Sequence, residues 1–330
     1  MFSKYKKKIL LSVTFGALVF LAFSIYADFG NLLLSFSKFN WYWFPVILAL
    51  SFGNYLVRFF KWEYYLKILN ISIKPLRSFL IFFSSFIMSV TPGKMGEVLK
   101  SFLLKEETGT SVSVSAPIIL AERITDFLSI VILCIVGAVV FDYGRDIVII
   151  TGIFFVLLTI VLSSKKLSLR IISIFEKIKF TEKHAEKLYT AYESTYNLIK
   201  IKPLLIVVGM SVVAWFFECL GFYIVLKVFT NISSIEVTVL TATFIYTFST
   251  LIGAIAMLPG GLGATEASLT GLLIFLKIPK DISVAATIII RVATLWFAVI
   301  LGVIAIQFYG NKSINEIVDL GGTELKEKNH

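Results

Sequence analysis

Ten apolar runs follow one another along the chain, and their lengths predict helices that cross or enter a membrane. Several reach the roughly 17–25 residues that a membrane-spanning helix needs. Two are too short: run 95–104 would rise only about 15 Å and run 264–276 about 20 Å, against a hydrocarbon core of about 30 Å. The runs cover 9–27, 41–60, 78–91, 95–104, 112–141, 147–163, 204–229, 237–258, 264–276 and 281–309.

Both short runs follow a Pro-Gly pair, and the pairs lie in similar stretches, "SVTPGKMGEVLK" from Ser89 to Lys100 and "MLPGGLGATEAS" from Met257 to Ser268. Non-helical backbone at membrane depth is tolerated only where it is buried in protein or lines a cavity. We therefore predict two re-entrant helical hairpins, in which the chain enters the membrane, turns at depth and returns to the same side. Hairpin 1 is predicted over 78–104 and hairpin 2 over 237–276.

Aligned on their Pro-Gly pairs, the two halves of the chain form a repeat of helix, hairpin, helix. Arg123 follows the first proline by 31 residues, and Arg291 follows the second by 32. Because the predicted hairpins enter from opposite sides, the repeats have inverted topology, an architecture found in alternating-access transporters. The predicted fold is an all-α, polytopic integral membrane protein of about eight membrane elements.

A single transmembrane domain accounts for all 330 residues. We divide it into a first helix and outer loop, repeat 1, a linking helix plus cytoplasmic basic segment, repeat 2 and a cytoplasmic tail. These parts cover 1–40, 41–141, 142–203, 204–309 and 310–330. The start, "KYKKK" and then an apolar run, resembles a signal peptide, but the later topology requires a cytoplasmic amino terminus, so we predict a retained helix.

Composition and charge agree with a membrane location. Apolar residues make up 58% of the chain and charged residues 16%, whereas soluble domains carry about 25% charged residues. The net charge of +10 does not indicate nucleic-acid binding, because 22 of the 31 Lys and Arg fall in segments predicted to be cytoplasmic. We predict a multi-pass cell-membrane protein with both termini in the cytoplasm.

The two predicted breaks offer a site for an anion. Freed backbone N–H groups and the positive end of a half-helix attract negative charge, and glycine permits close approach. Lys94 would stand at one tip, and Arg123 and Arg291 fall near mid-depth, where an arginine is costly unless it is paired or functional. Arg58 is either a further mid-depth cation or a side chain that snorkels to the interface beside Lys61. The candidate glycines at the tips are Gly93, Gly96, Gly260, Gly261 and Gly263.

Carboxylates accompany these bases. They could compensate a cation, relay a proton or hold the arginines in place, and the sequence leaves these roles open. Residues 122 and 126 share a helix face at i,i+4. The candidate acidic residues are Glu97, Glu122, Asp126, Glu218 and Glu266. We predict no catalytic residue, no metal site and no cofactor.

At these residues the sequence resembles the lysylphosphatidylglycerol synthase transmembrane-region, or flippase-like, family. The motifs that carry the resemblance are "TPGKMGEVLKSFLL", "LAERITDFLSIVIL", "WFFECLGF", "LPGGLGATEASLTGLL" and "RVATLWFAVILG", between Thr91 and Gly302. The resemblance implies about eight membrane helices, re-entrant ones included, and a role in lipid translocation. Some members carry a soluble aminoacyltransferase domain, and we expect this chain to be a stand-alone member without it.

These observations lead to a working hypothesis of a lipid flippase that binds a membrane lipid with an anionic, phosphate-bearing headgroup between the hairpins. The bases and Pro-Gly tips would contact the phosphate. The alternatives are a membrane enzyme acting on a polyprenyl-phosphate sugar, an accessory subunit that docks a cytoplasmic synthase or glycosyltransferase through 164–203, and a transporter of a soluble anion. The oligomeric state stays open, a homo-oligomer included.

Overall fold

The computed structural model describes residues 29–90, 97–138, 145–163, 185–230 and 237–310, together with Leu18, Leu21, Ile25 and Tyr26. Every regular element in these residues is helical. The tip of hairpin 1 (91–96), most of the predicted first helix, residues 164–184 and the tail from 311 lie outside the described residues, and so do the predictions made for them.

Twelve helices are described in chain order. The first six are α1 Phe29–Lys38, α2 Phe44–Ile68, α3 Pro75–Ser84, α4 Leu99–Thr108, α5 Val112–Ser115 and α6 Pro117–Ala138. They are followed by α7 Arg145–Ser163, α8 Ala185–Leu198, α9 Ile201–Thr230, α10 Val239–Ile255, α11 Ala264–Phe275 and α12, which begins as Lys280–Arg291 and continues to Gly310. Short 3₁₀ turns lie at Trp41–Trp43, Ser85–Met88 and Pro259–Gly261.

Three of the helices in the described part of the chain are long and apolar enough to cross a membrane, over Trp41–Ile68, Ile201–Phe229 and Lys280–Gly310. Shorter apolar helices lie at Pro75–Met88, Asp146–Leu162 and Val239–Ile255. The prediction of an all-α membrane protein is confirmed. The second span ends where expected, but the first runs eight residues beyond the predicted end at 60.

Two buried hydrophobic cores divide the bundle along the axes of its long helices. Core A contains Phe244, Ile245 and Leu273 of hairpin 2, and core B contains Ile81, Phe82 and Leu103 of hairpin 1. Within the described residues, neither hairpin contributes to the core of the other.

The long helices run from one core to the other. α2 places Ile47 in core A and Trp62 in core B, whereas α9 runs the opposite way, with Val207 in core B and Phe222 in core A. In the same manner α6 runs from core B to core A, and α12 from core A to core B. The hairpins therefore occupy opposite halves of the bundle, which agrees with the inverted topology predicted from the sequence.

The entering arm of hairpin 1 packs against the tip of hairpin 2. Val90, the last described residue before the break in hairpin 1, packs with Leu262 at the tip of hairpin 2 and with Leu295 and Val299 of α12 in a small separate cluster. This contact places Val90 and the tip of hairpin 2 between the two cores. It is the position at which non-helical backbone is shielded by protein.

The basic segment predicted to be cytoplasmic contributes a packed helix. α8 contacts α5 and α6, and its last residue, Leu198, and the following Ile199 are fully buried in core B. The described part of this segment therefore packs against protein, at the end of the bundle where hairpin 1 enters.

Candidate functional site

A cavity of about 290 Å³ lies between the tip of hairpin 2 and the described ends of hairpin 1. Its wall includes Ser89 and Glu97 on either side of the break in hairpin 1, and Gly260, Gly261 and Thr265 of hairpin 2. Helices α2, α6, α9 and α12 complete it. The charged residues that line it are Arg58, Glu97, Arg123, Asp126, Glu218 and Arg291.

The tip of hairpin 2 depends on its glycines. Gly260, Gly261 and Gly263 have φ values of 61°, 68° and 88°, in the left-handed region that side chains with a Cβ avoid. A Cβ at Gly260 would also lie 3.3 Å from Val90 and Leu295. The tip is therefore shaped by positive φ and by close docking onto hairpin 1 and α12.

A buried ion pair holds this tip to α12. Arg291 donates from Nε to Oε1 of Glu266 at 2.6 Å and from Nη2 to the carbonyl of Gly260 at 2.7 Å. The second carboxylate oxygen of Glu266 accepts from the backbone N–H of Gly263 at 2.6 Å, as an acidic N3 residue does at the start of a helix. Both side chains are buried. Of the predicted residues here, Glu266 and Gly263 do not line the cavity, whereas Arg291, Gly260 and Gly261 do.

Hairpin 1 has a corresponding ion pair. Glu97, the first described residue after the break, pairs with Nη2 of Arg123 on α6. In each repeat, a glutamate of the hairpin's returning arm thus pairs with an arginine of the helix that follows. Gly93, Lys94 and Gly96 lie outside the described residues.

Asp126 joins two cations that the sequence did not assign to the site. Its Oδ2 pairs with Nη2 of Arg58 at 3.1 Å, and its Oδ1 pairs with Nζ of Lys61 at 2.7 Å. Lys61 also donates to the hydroxyls of Thr125 at 3.0 Å and Ser211 at 2.6 Å. Arg58 lines the cavity instead of snorkelling to an interface.

Glu122 does not belong to the cavity wall. It forms a buried ion pair with Lys100 of α4, whose ammonium lies 5.0 Å from the ring centroid of Trp62. The shared face therefore does not bring the two carboxylates to one ligand, because Lys100 binds Glu122 whereas Arg58 and Lys61 bind Asp126.

Three bases that the charge count placed in cytoplasmic segments are buried inside the protein. Lys61, Arg77 and Lys100 are each no more than 2% exposed. Fewer Lys and Arg side chains are therefore exposed in that predicted cytoplasmic region than the count from the sequence assumed. The long charged side chains are accommodated because each has an acidic partner: Asp126, Glu107 and Glu122 respectively.

Glu218 of α9 is the remaining predicted acid, and it lines the cavity. The hydroxyl of Tyr246 on hairpin 2 donates to its Oε2 at 2.7 Å. One turn before it on α9, the Trp215 ring lies 6.0 Å from the guanidinium carbon of Arg58. Glu218 thus contributes negative charge to the wall near the Arg58 side.

A π-helical segment, Val292–Trp296, follows Arg291 directly. Thr294 in this segment lines the cavity, and its carbonyl accepts a hydrogen bond from the hydroxyl of Tyr55. Such bulges free backbone groups and are frequent at functional sites. No residue pattern predicted this bulge. Among the described residues, no group of three or more His, Cys, Asp or Glu is arranged to hold a metal ion.

Comparison with known proteins agrees with this architecture. A UPF0104 membrane protein of Methanocaldococcus jannaschii is 28% identical over 229 residues, which cover 68% of this chain and 93% of that protein. A UPF0104 membrane protein of Methanothermobacter thermautotrophicus is 23% identical over 322 residues, 91% of this chain and 93% of its own length. A third, from Pyrococcus horikoshii, is 25% identical over 270 residues, 73% of this chain and 79% of its own.

The family profile of the lysylphosphatidylglycerol synthase TM region matches residues 9–302. This range contains both hairpins, helices α2, α6 and α9, most of α12 and every charged residue of the cavity wall. The chain is therefore a membrane-embedded member of the lysylphosphatidylglycerol synthase TM region family.

Proposed function

We propose that the protein is a lipid flippase that binds the phosphate-bearing headgroup of a membrane lipid in the cavity between the hairpin tips. The observation that carries this proposal is the convergence of three arginines, Arg58, Arg123 and Arg291, on one cavity between the two cores. Charged side chains inside a membrane bundle typically mark substrate pathways. The planar guanidinium matches phosphate oxygens in a bidentate manner.

Arg123 keeps a donor for a ligand. Nε of Arg123 has no hydrogen-bond partner among the described residues, although the residue lines the cavity. The cavity volume of about 290 Å³ lies at the lower end of the range of about 300–1,000 Å³ for ligand pockets. That size suits a headgroup and leaves no room for acyl chains inside.

The cavity mouth favours a lipid over a soluble anion. Met257 and Leu258 line the cavity, yet they are 72% and 39% exposed, and Ile255 beside them is 50% exposed. These apolar side chains lie at the hairpin 2 tip, between the two cores, where an exposed surface would face acyl chains. A lipid could place its phosphate at the arginines while its tails stay outside the protein.

Binding and movement would be coupled through the hairpins. Arg291 now donates to Gly260 and Glu266, and Arg123 pairs with Glu97, so each arginine holds a hairpin. A phosphate that draws these guanidinium groups toward itself weakens their hold on the hairpins. Because the hairpins enter from opposite sides, loosening one or the other would open the site to alternate sides, as in transporters built from inverted repeats.

Leaflet exchange in proteoliposomes tests this proposal. Vesicles carrying fluorescent phosphatidylglycerol would be treated with dithionite, which bleaches only the outer leaflet. We expect the wild type to expose the inner-leaflet lipid, and Arg123→Gln and Arg291→Gln to lose this activity while staying folded.

Arg77→Gln is the control, because Arg77 is buried, as Arg291 is, but pairs with Glu107 and does not line the cavity. It should retain activity. Exchange at the wild-type rate in both cavity variants would refute the proposal. Absence of exchange by the wild type across several phosphate-bearing lipids would do the same.

A further inference from the structure

The ion pairs around the cavity differ in their balance of charge. Two of the buried cations have one carboxylate each, in the pairs Arg291–Glu266 and Lys100–Glu122. Asp126 instead serves two cations, Arg58 and Lys61. These three groups carry a net charge of +1 where the others cancel.

The excess charge is presented to the cavity. Lys61 is 1% exposed and its ammonium has three acceptors, Asp126, Thr125 and Ser211, so no ligand reaches it. Arg58 lines the cavity and its guanidinium lies over the Trp215 ring. Because Lys61 draws on the same carboxylate, Asp126 cannot fully neutralise Arg58, which keeps part of its positive charge for the cavity.

We infer that Arg58 anchors the anion in this cavity. Lys61 is a positioning residue: it shares the carboxylate of Asp126 with Arg58, so that part of the positive charge of Arg58 stays available to the ligand. The ligand chemistry is a phosphate monoester or diester. The choice of ligand rests on the proposed function. The anchoring role is assigned to Arg58, for which the sequence left both a mid-depth and an interfacial position open.

Glu218 places a negative charge on the same wall of the cavity. It follows Trp215 by one turn of α9 and lines the cavity, so its negative charge opposes an incoming anion. Glu218→Gln removes that charge and keeps an acceptor for the Tyr246 hydroxyl. It should therefore raise the affinity for a phosphate that carries no cationic group.

A charge-balance series tests the inference by calorimetric titration of the purified full-length protein in detergent. The probes are inorganic phosphate and dihexanoyl-phosphatidylglycerol. Arg58→Gln should lower the affinity by about 10- to 100-fold, the range for a charge-assisted hydrogen bond. Lys61→Met should also lower it, because Asp126 then neutralises Arg58.

The decisive variant is Lys61→Met combined with Asp126→Asn, which restores a charge of +1 at Arg58. It should recover binding to near the wild-type level, although it removes a second buried polar contact. A purely structural role for Lys61 predicts that the double variant binds worse than Lys61→Met.

The outcomes separate the inference from the proposed function. If the wild type binds the lipid and Arg58→Gln binds it equally well, the inference is wrong and the headgroup site stands on the other arginines. If the wild type binds neither probe, the proposed function fails. Equal affinity for both probes would indicate a site for free phosphate, whereas tighter lipid binding supports a headgroup site.

Should Lys61→Met fail to fold, Glu218→Gln supplies an independent measurement. Tighter binding of both probes by this variant supports the charge balance around Arg58. Unchanged or weaker binding would contradict it.

Discussion

The buried pair of Arg291 and Glu266 allows the hold on hairpin 2 to be measured as a coupling free energy. Replacing either residue with methionine leaves the other charge buried without its partner. Such a loss typically costs about 3–5 kcal/mol. If the two residues acted independently, the double variant would therefore lose about 6–10 kcal/mol.

The structure predicts a smaller loss for the double variant. Once both charges are gone, the groups left without their side-chain partners are the carbonyl of Gly260 and the N–H of Gly263. Each unsatisfied buried backbone group costs about 1–3 kcal/mol, so the double variant should lose about 2–6 kcal/mol. The expected coupling is roughly 4 kcal/mol.

Unfolding by SDS in mixed micelles, followed by circular dichroism, measures these free energies. The pair Arg77 and Glu107 is a control, because its nitrogen and oxygen lie 3.4 Å apart and the glutamate is 20% exposed. Because Glu107 is partly exposed, this pair should show a smaller coupling than Arg291 and Glu266. Additive losses at Arg291 and Glu266 would refute the argument that this pair holds the hairpin.

Glycines and one tyrosine provide further predictions. Gly302→Leu should lower the melting temperature in detergent far more than Gly209→Leu. A Cβ at Gly302 overlaps the backbone of hairpin 1, whereas a Cβ at Gly209 has nothing within 4 Å. Equal effects of the two substitutions would contradict this packing. Gly253→Ala should destabilise by overlap with the Thr265 hydroxyl, and Thr265→Ala should partly restore the melting temperature. Tyr55→Phe removes the hydroxyl donor to the Thr294 carbonyl, which still accepts from the backbone N–H of Phe297, and should cost about 0.5–1.5 kcal/mol in SDS unfolding.

The hairpins and the Arg291 site could be predicted because their signals are local. A run of 13 apolar residues after Pro259-Gly260 cannot span a bilayer, whatever the rest of the chain does. Gly260, Gly261 and Gly263 mark the positions that need positive φ. The repeat then points to Arg123 and Arg291 at matching places.

The Arg58 and Lys61 cluster could not be assigned, because it depends on contacts between distant segments. In the sequence, the apolar run ends near Arg58 and Lys61, so these two bases resemble the basic end of a helix. The helix in fact continues to Ile68, and both bases face Asp126, which lies 65 residues after Lys61. The available signal for this cluster was the number of carboxylates predicted inside the membrane, because each of them needs a cationic partner.

Glu122 shows the opposite limit of prediction from sequence: its local spacing was visible, but its partner was not. Its spacing from Asp126 gave a shared face, but whether such a face points to a cavity or to a neighbouring helix depends on how the helices pack. Lys100 takes Glu122 as its partner on the side of hairpin 1. The bulge at Val292–Trp296 is equally a product of packing, and no residue type announces it.

A structure of the protein in nanodiscs of phosphate-bearing lipid tests the central claim most directly. The account predicts a phosphate within hydrogen-bonding distance of Arg58, with Arg123 and Arg291 beside it and the acyl chains leaving past Met257. A cavity that holds only water in such a structure, with every lipid phosphate at the bilayer surfaces, would contradict it.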